Sequence, residues 1–538
     1  MMRLSGRWAD AIAIGALIAL SVIAWNTFRD YGLGWDDYTH SQYGELLLQF
    51  FKSGFADKRA LSFVNLYMYG GGFDLGAAAL SKILPFGLFE TRRLCGAVVG
   101  ILGLAATWRM ARRVGGPLAG LLAMLLLATC PLYYGHMFMN AKDAPFAAAM
   151  AMLLLGMVRL LEDYPKPGAG SALTFGLGLG LTIGSRVLGG IASLYVALPL
   201  VILVTADCRG NGMRAALREF GLFLARLVPA FVLAYAVMAL IWPWSVQEPL
   251  NPLRAVQYFS HFFEKPWREM FEGQPILVPD MPRSYVPVHF LLKLPEIMLV
   301  LCVGGMLGIL TNTVRGRYSA RRSAILFLIM GAAAVPVLFT ILTRPAMYNG
   351  IRHFVFVTPP LAVLGGLAGA WLFEELRTRS RAALAAAVAA CAIGLADPVY
   401  VMHRLHPYEY THFNRIAGGL EGAEDRFMLD YWGLAFKEAS EQLRALLTER
   451  HETPPIGRRR WRIAVCGPHP AAEVELGPEF VTTWDPKGAD FAMMLGEFYC
   501  AEPDAPILVE IDRDNIVYAR VYDIRGYDLT SVFKHPDQ

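Results

Sequence analysis

Gly34-Trp35-Asp36-Asp37-Tyr38-Thr39-His40 follows the first long apolar run of the chain, Ala11 to Phe28. Two adjacent carboxylates cannot anchor a segment in lipid. They are also poor core material, because an ionised group that leaves water must be paired. The pair therefore belongs at a water-facing mouth of whatever the apolar runs build. An aspartate held there, between Trp35 and Tyr38, is a candidate general base.

The composition says what that mouth opens from. The chain has 538 residues, 55% of them hydrophobic and 17% charged. Its mean hydropathy is +0.40. Soluble domains carry about 25% charged residues, so the chain reads as a polytopic α-helical membrane protein with some soluble mass attached. The net charge of +4 implies no nucleic-acid partner, because the basic residues are sorted by loop. Arg3 and Arg7 precede the first apolar run. That run is long for a signal peptide and ends in no clear small-residue cleavage site, which points to an uncleaved first helix.

A spanning helix needs about 20 mostly apolar residues. About eleven stretches qualify: 9–28, 89–109, 117–135, 144–161, 170–185, 187–206, 221–242, 287–310, 323–343, 353–373 and 382–400. With the N-terminus inside, every even-to-odd loop is basic. These loops carry Arg109, Arg112 and Arg113; Arg159 and Lys166; Arg209, Arg214 and Arg218; Arg315, Arg317, Arg321 and Arg322; and Arg377, Arg379 and Arg381. The odd count puts the C-terminal tail outside. Gly176, Gly180 and Gly184 have the spacing that lets helices approach closely. Two external loops are long, 29–88 and 243–286. The first holds a patterned stretch, Gln42–Lys52, suited to a helix on the membrane surface. It also holds the aromatic, glycine-rich and flexible Tyr67–Asp74.

Residues 1–400 form the membrane domain, and from 401 to 538 the composition changes. Apolar runs shorten to strand length at Arg462–Gly467, Phe491–Leu495, Ile507–Ile511 and Asn515–Tyr522, and Phe436–Glu449 reads as an amphipathic helix. This is a small extracytoplasmic α/β domain. Its two cysteines, Cys466 and Cys500, are able to pair in an oxidising compartment. The chain's seven cysteines are too few for a disulfide scaffold.

Ionisable residues at the external membrane edge are functional candidates by default. In the Asp36–Asp37 pair, adjacent like charges push one pKa upward, which suits a base. Asn140-Ala141-Lys142-Asp143-Ala144-Pro145 opens a helix on the same side. Asp143 is suited to its cap or first turn, Lys142 to a phosphate, and His136 to a hydrogen bond. Arg186 lies at an external junction. Arg352-His353 opens the tenth helix, where a guanidinium and an imidazole make an anion site. Tyr69 and His261 come from the long loops and, with His136 and Asn140, are candidates to contact substrate. His403, His406 and His412 lie close together, but their spacing fits no strong metal signature. A divalent metal stays open, and no organic cofactor is expected. No Walker, nucleophile-elbow or dinucleotide motif stands in a proper strand–turn–helix context.

The set of motifs resembles the GT-C superfamily of membrane glycosyltransferases. It is most similar to the bacterial members related to protein O-mannosyltransferases and to lipid A aminoarabinose transferases. The resemblance covers about residues 1–440. Trp35-Asp36-Asp37, Asn140–Phe146 and Arg352–Pro360 carry it, together with His406–Tyr410, Phe413-Asn414 and Leu429-Asp430-Tyr431-Trp432-Gly433. One departure is Asp37, where Glu is common. The resemblance implies a GT-C fold, a polyprenyl-phosphate-linked sugar donor and a lipid or protein acceptor outside a bacterial inner membrane. It implies Asp36 as the base, Asp143 as a site-building acid, and Lys142, Arg186, Arg352 and His353 as partners of the leaving phosphate. Two readings compete. A secondary transporter or lipid-linked sugar flippase would place its essential acids near mid-helix. A non-catalytic assembly subunit would tolerate loss of Asp36.

Overall fold

The computed structural model describes residues 6–260 and 267–534. Apolar runs become helices because a backbone in lipid must satisfy its N–H and C=O groups within the segment. The chain begins with α1 (Gly6–Thr27). It continues through amphipathic α2 (Asp37–Lys52), short α3 (Gly72–Leu80) and long α4 (Leu88–Gly115). Then come α5 (Pro117–Ala128), α6 (Pro131–Met139), α7 (Asp143–Asp163), α8 (Ala169–Ser185), α9 (Ala192–Asn211), α10 (Met213–Arg226) and α11 (Val228–Ile241). The second long loop holds α12 (Asn251–Ser260) and a hairpin of β1 (Arg268–Phe271) and β2 (Gln274–Leu277). The bundle closes with α13 (Tyr285–Lys293), α14 (Glu296–Val314), α15 (Ala320–Thr343), α16 (Thr358–Arg379) and α17 (Arg381–Leu405).

Among the described residues, nine helical stretches are long and apolar enough to cross a membrane, or ten if the bent pair α5–α6 is one span. The shorter apolar α8 accounts for the remaining expected stretch. Two expected spans change shape, and proline is the reason for both. The residue before a proline is pushed out of the helical region. Leu294 is accordingly extended ahead of Pro295, so the stretch expected at 287–310 divides into α13 and the true span α14. Cys130 is extended ahead of Pro131, and the span expected at 117–135 bends by 63° there and runs on to Met139. A third expected span, 221–242, begins earlier, at Met213.

The glycine spacing on α8 serves close packing against α11. A Cβ on Gly176 would stand 2.6 Å from the Ala230 carbonyl oxygen, and one on Gly180 would stand 2.6 Å from that of Ala234. The expected flexibility of Tyr67–Asp74 is not what the structure has. Gly70 lies against the Gly184 backbone too closely for any side chain, the Gly71 N–H donates to Ile241 at 2.9 Å, and α3 starts at Gly72.

The C-terminal unit is built on α18 (Phe436–Glu449) and α19 (His469–Leu476). Its sheet contains β3 (Trp461–Cys466), β4 (Phe480–Thr483), β5 (Phe491–Leu495), β6 (Ile507–Arg513) and β7 (Ile516–Asp523) in the order β4-β3-β5-β7-β6. β4 and α19 were not expected, since both are short and only partly apolar. A disulfide joins Cys466 and Cys500. The unit seats on the bundle through Leu33, whose N–H donates to Glu475 at 3.1 Å, and through a bridge between Phe271 and Phe427. It therefore lies at the end of the bundle that carries the Asp36–Asp37 turn.

Replacing Gly180 by leucine should destabilise the bundle by about 1–3 kcal/mol through overpacking. A lowered melting temperature of the full chain in detergent checks this, and an unchanged one contradicts the close α8–α11 approach.

Candidate active site

The two aspartates have different surroundings. Asp37, the first residue of α2, is buried and bonded to both arms of Arg93 on α4, at 2.8 and 2.7 Å. It also accepts the Gly34 N–H at 2.8 Å. Its charge is neutralised and its oxygens are used. Asp36 sits just ahead of the helix with its side chain 37% exposed, and it accepts from Lys142 Nζ at 3.2 Å. Partial loss of water raises its pKa, but the charges of Lys142 and Arg352 outweigh that and draw it down to about 2. The upward shift expected from two neighbouring acids is therefore reversed. Asp37 is compensated by its own arginine, and cations from distant segments face Asp36.

The bend at Cys130 carries α6 to the site. There Asn140 forms a tight turn, and its side-chain oxygen accepts the N–H groups of Lys142 and Asp143 at 3.0 and 2.8 Å. Its amide nitrogen donates to Asp143 at 2.7 Å and meets His136 Nδ1 at 3.1 Å. Asp143 is the first residue of α7, one position inside the cap. It is buried and paired with Arg186 at 2.7 Å and with Arg352 at 3.5 Å. The Tyr69 ring lies under two cations, with Lys142 Nζ 5.2 Å and the Arg186 guanidinium 5.9 Å from its centroid.

Arg352 is buried between Tyr348 and Trp432, with ring centroids 4.9 and 5.1 Å from its guanidinium carbon. Its Nε and Nη1 make no hydrogen bond. His353 packs edge-on against Tyr348 at 4.9 Å. The structure thus gathers Asp36, Lys142, Asp143, Asn140, His136, Tyr69, Arg186, Arg352 and His353 into one cluster. His261 lies outside the described residues. The three histidines near 403–412 do not converge. His403 is exposed in the last turn of α17. His406 bridges Asp30 and Glu409 at 2.9 and 2.7 Å. The His412 ring is buried with no hydrogen bond. Among the described residues, no group of three or more His, Cys, Asp or Glu side chains is placed to hold a metal.

Several contributors were missed. His40 and Arg92 both grip buried Asp74 at 2.7 Å, tying α2, α3 and α4 together beside the site. The signal was the pair Arg92-Arg93 within an apolar run, which demands buried acids. Asp430 accepts the N–H groups of Gly433, Leu434 and Ala435 at 3.0, 3.1 and 3.0 Å and the Tyr410 hydroxyl. It fixes Tyr431 against His136 at 3.2 Å and Trp432 over Arg352. Burial pushes its carboxyl up to about 6, against the pull of those donors. Buried Lys293, lowered to about 7 by burial, lies 4.1 Å over the Phe413 ring and points at the carbonyls of Tyr410 and His412, at 3.3 and 3.4 Å.

Residues 77–242, less than half of the chain, match the family described as dolichyl-phosphate-mannose-protein mannosyltransferase. The fold is similar to that of ArnT from Cupriavidus metallidurans bound to undecaprenyl phosphate. The identity is 16%, the TM-score is 0.50, and 96% of this chain and 99% of that chain are covered. It is also similar to that of the archaeal oligosaccharyltransferase AglB from Archaeoglobus fulgidus in complex with an inhibitory peptide and a dolichol-phosphate. There the identity is 13% and the TM-score 0.51, with 92% of this chain and 70% of that chain covered. No curated protein matches the sequence. The chain is thus a multi-pass membrane protein of GT-C fold with a small C-terminal sheet domain.

Asp37→Asn should leave Arg93 buried without a counter-charge and destabilise the protein by about 3–5 kcal/mol. Asp36→Asn should cost no more than about 1 kcal/mol, because its pair is partly solvated. Thermal unfolding of the two variants checks the difference, and equal losses contradict it.

Proposed function

We propose that the chain is an inverting glycosyltransferase that moves a sugar from a polyprenyl-phosphate donor to an extracytoplasmic acceptor. The observation that carries this reading is the convergence of Lys142, Arg186 and Arg352 beside one half-exposed carboxylate, Asp36. Three cations and a base at the end of an apolar bundle suit a substrate with an isoprenoid tail in lipid and a phosphate at the edge. The undecaprenyl phosphate of the Cupriavidus ArnT structure, the dolichol-phosphate of the archaeal one, and the family matched by residues 77–242 support it.

In the step, Asp36 takes the proton of an acceptor hydroxyl as its oxygen attacks the anomeric carbon. The bond from that carbon to the phosphate oxygen breaks, and polyprenyl phosphate leaves. Negative charge grows on the phosphate, where fixed cations are worth most. Arg352 brings an Nε with no hydrogen bond and an Nη1 held only by its 3.5 Å pairing with Asp143. Lys142 is shared with Asp36, so a phosphate that draws Lys142 toward itself frees the carboxylate and raises its basicity. We assign the charge stabilisation to these three side chains. Asp37 holds the turn through Arg93, and Asp143 holds the two arginines.

The basic loops favour a cytoplasmic N-terminus with the site outside, and the resemblance to bacterial transferases favours an inner membrane. The Cys466–Cys500 disulfide favours an oxidising compartment for the C-terminal domain. The acceptor is a lipopolysaccharide sugar, another lipid glycan or a protein hydroxyl.

Asp36→Asn should lower transfer by about 10²–10⁴-fold, the usual span for removing a general base, in a protein that still inserts and folds. Mass spectrometry of envelope glycans from cells with the wild-type chain, the variant or neither reads this as loss of one sugar increment. Wild-type levels of product in the variant would refute the assignment.

A further inference from the structure

Arg352 is reached through an unusual turn. Asn349 and Gly350 are consecutive residues in the left-handed region, with φ of 56° and 62°. Glycine enters that region freely, and asparagine is one of the few side chains that tolerates it. Two successive N–H groups in such a turn form a concave pair that suits an anion. The anion present is a side chain of the second long loop. Glu269 on β1 is 1% exposed. Its carboxylate accepts the Asn349 N–H at 2.6 Å and the Gly350 N–H at 3.4 Å. The Tyr285 hydroxyl donates to the same carboxylate, and the Gly350 N–H also reaches the Tyr285 oxygen at 2.8 Å.

Glu269 stands on a strand whose inward positions are itself and Phe271. Phe271 bridges to Phe427, so the hairpin is clamped between the bundle and the C-terminal unit. Gly350 has little freedom on its other side, where an added Cβ would lie 3.4 Å from the Lys293 side chain. Two residues on, Arg352 enters the site with its guanidinium between Tyr348 and Trp432.

We infer that Glu269 is a positioning residue for donor-phosphate binding: its buried carboxylate fixes the Asn349–Gly350 turn and so aims Arg352 at the phosphate. The inference rests on the reading of the cluster as a phosphate site. Glu269 itself touches no substrate. Its effect passes through Arg352, so it reaches both donor affinity and the charge that Arg352 stabilises on the leaving phosphate.

The test measures binding of undecaprenyl phosphate, used as the probe, to the full-length protein in nanodiscs. Glu269→Gln keeps the shape and replaces one carboxylate oxygen by an NH2 group that cannot accept an N–H. Its dissociation constant should rise about tenfold, as expected when a buried acceptor of N–H groups is lost. In turnover the loss should appear in both the donor KM and kcat, in the same direction as in Arg352→Ala and no larger. Arg352→Ala should weaken binding at least as much, and the double variant Glu269→Gln with Arg352→Ala should be no weaker than Arg352→Ala alone, because the two act through one contact. Tyr285→Phe removes the hydroxyl that braces the turn and should give a smaller loss in the same direction, which keeps the test usable if the glutamine variant folds poorly. An Arg352→Ala variant with unchanged affinity would remove the phosphate site, and the inference with it. Weakened binding in Arg352→Ala with wild-type affinity in both Glu269→Gln and Tyr285→Phe would overturn the role of Glu269 alone. Additive losses in the double variant would also overturn it.

Discussion

Two guanidinium groups converge on one buried carboxylate. Arg186 comes from the α8–α9 junction, Arg352 from the turn ahead of α16, and Asp143 from the start of α7, at 2.7 and 3.5 Å. Buried alone, each of these charges would carry a desolvation penalty of several kcal/mol. Together they form a network that leaves net positive charge beside Asp36. Everything else at this end of the bundle depends on their meeting. The Asn140 turn orients the acid, Trp432 and Tyr348 cover Arg352, and Tyr69 lies beneath Lys142 and Arg186. The surplus cations and the partly exposed base are then held together at one end of the bundle.

That meeting follows from how the helices are broken. An unbroken third span could not deliver Asn140 and Lys142 where the 63° bend before Pro131 delivers them. An unbroken α13–α14 could not seat Lys293 under the loop of Tyr410 and His412. The prolines that interrupt apolar runs thus decide which polar loops reach the site. Long-range ion pairs then lock the result: Arg93 to Asp37, and Arg92 and His40 to Asp74. The C-terminal unit is part of the enclosure rather than an appendage, because Asp430 pins Tyr431 and Trp432 against His136 and Arg352.

Much of this was legible in the residues. The spans follow from apolar length. Asp36, Lys142, Asp143, Arg186 and Arg352 stand out because charge at a membrane edge is costly to keep there. Their roles were less legible. Asp36 and Asp37 look alike in the chain, and only partners far along it separate them. Arg93 takes Asp37, whereas Lys142 and Arg352 face Asp36. For the same reason the expected rise in pKa became a fall, since neighbours in space outnumber neighbours in sequence. Glu269 gave no signal at all. It lies on a four-residue strand in a loop, and its meaning comes from backbone N–H groups at Asn349 and Gly350, which no side-chain pattern records. Cys466 and Cys500, by contrast, were the only pair available to their domain.

The most direct measurement is an experimental structure of the full chain in nanodiscs with undecaprenyl phosphate. The expected result is a phosphate within hydrogen-bonding distance of Arg352 and Lys142, its isoprenoid tail leaving the bundle laterally and Asp36 open toward the acceptor side. A phosphate bound elsewhere, with Asp36 still closed on Lys142 and Arg352 still without a ligand, would contradict the central claim.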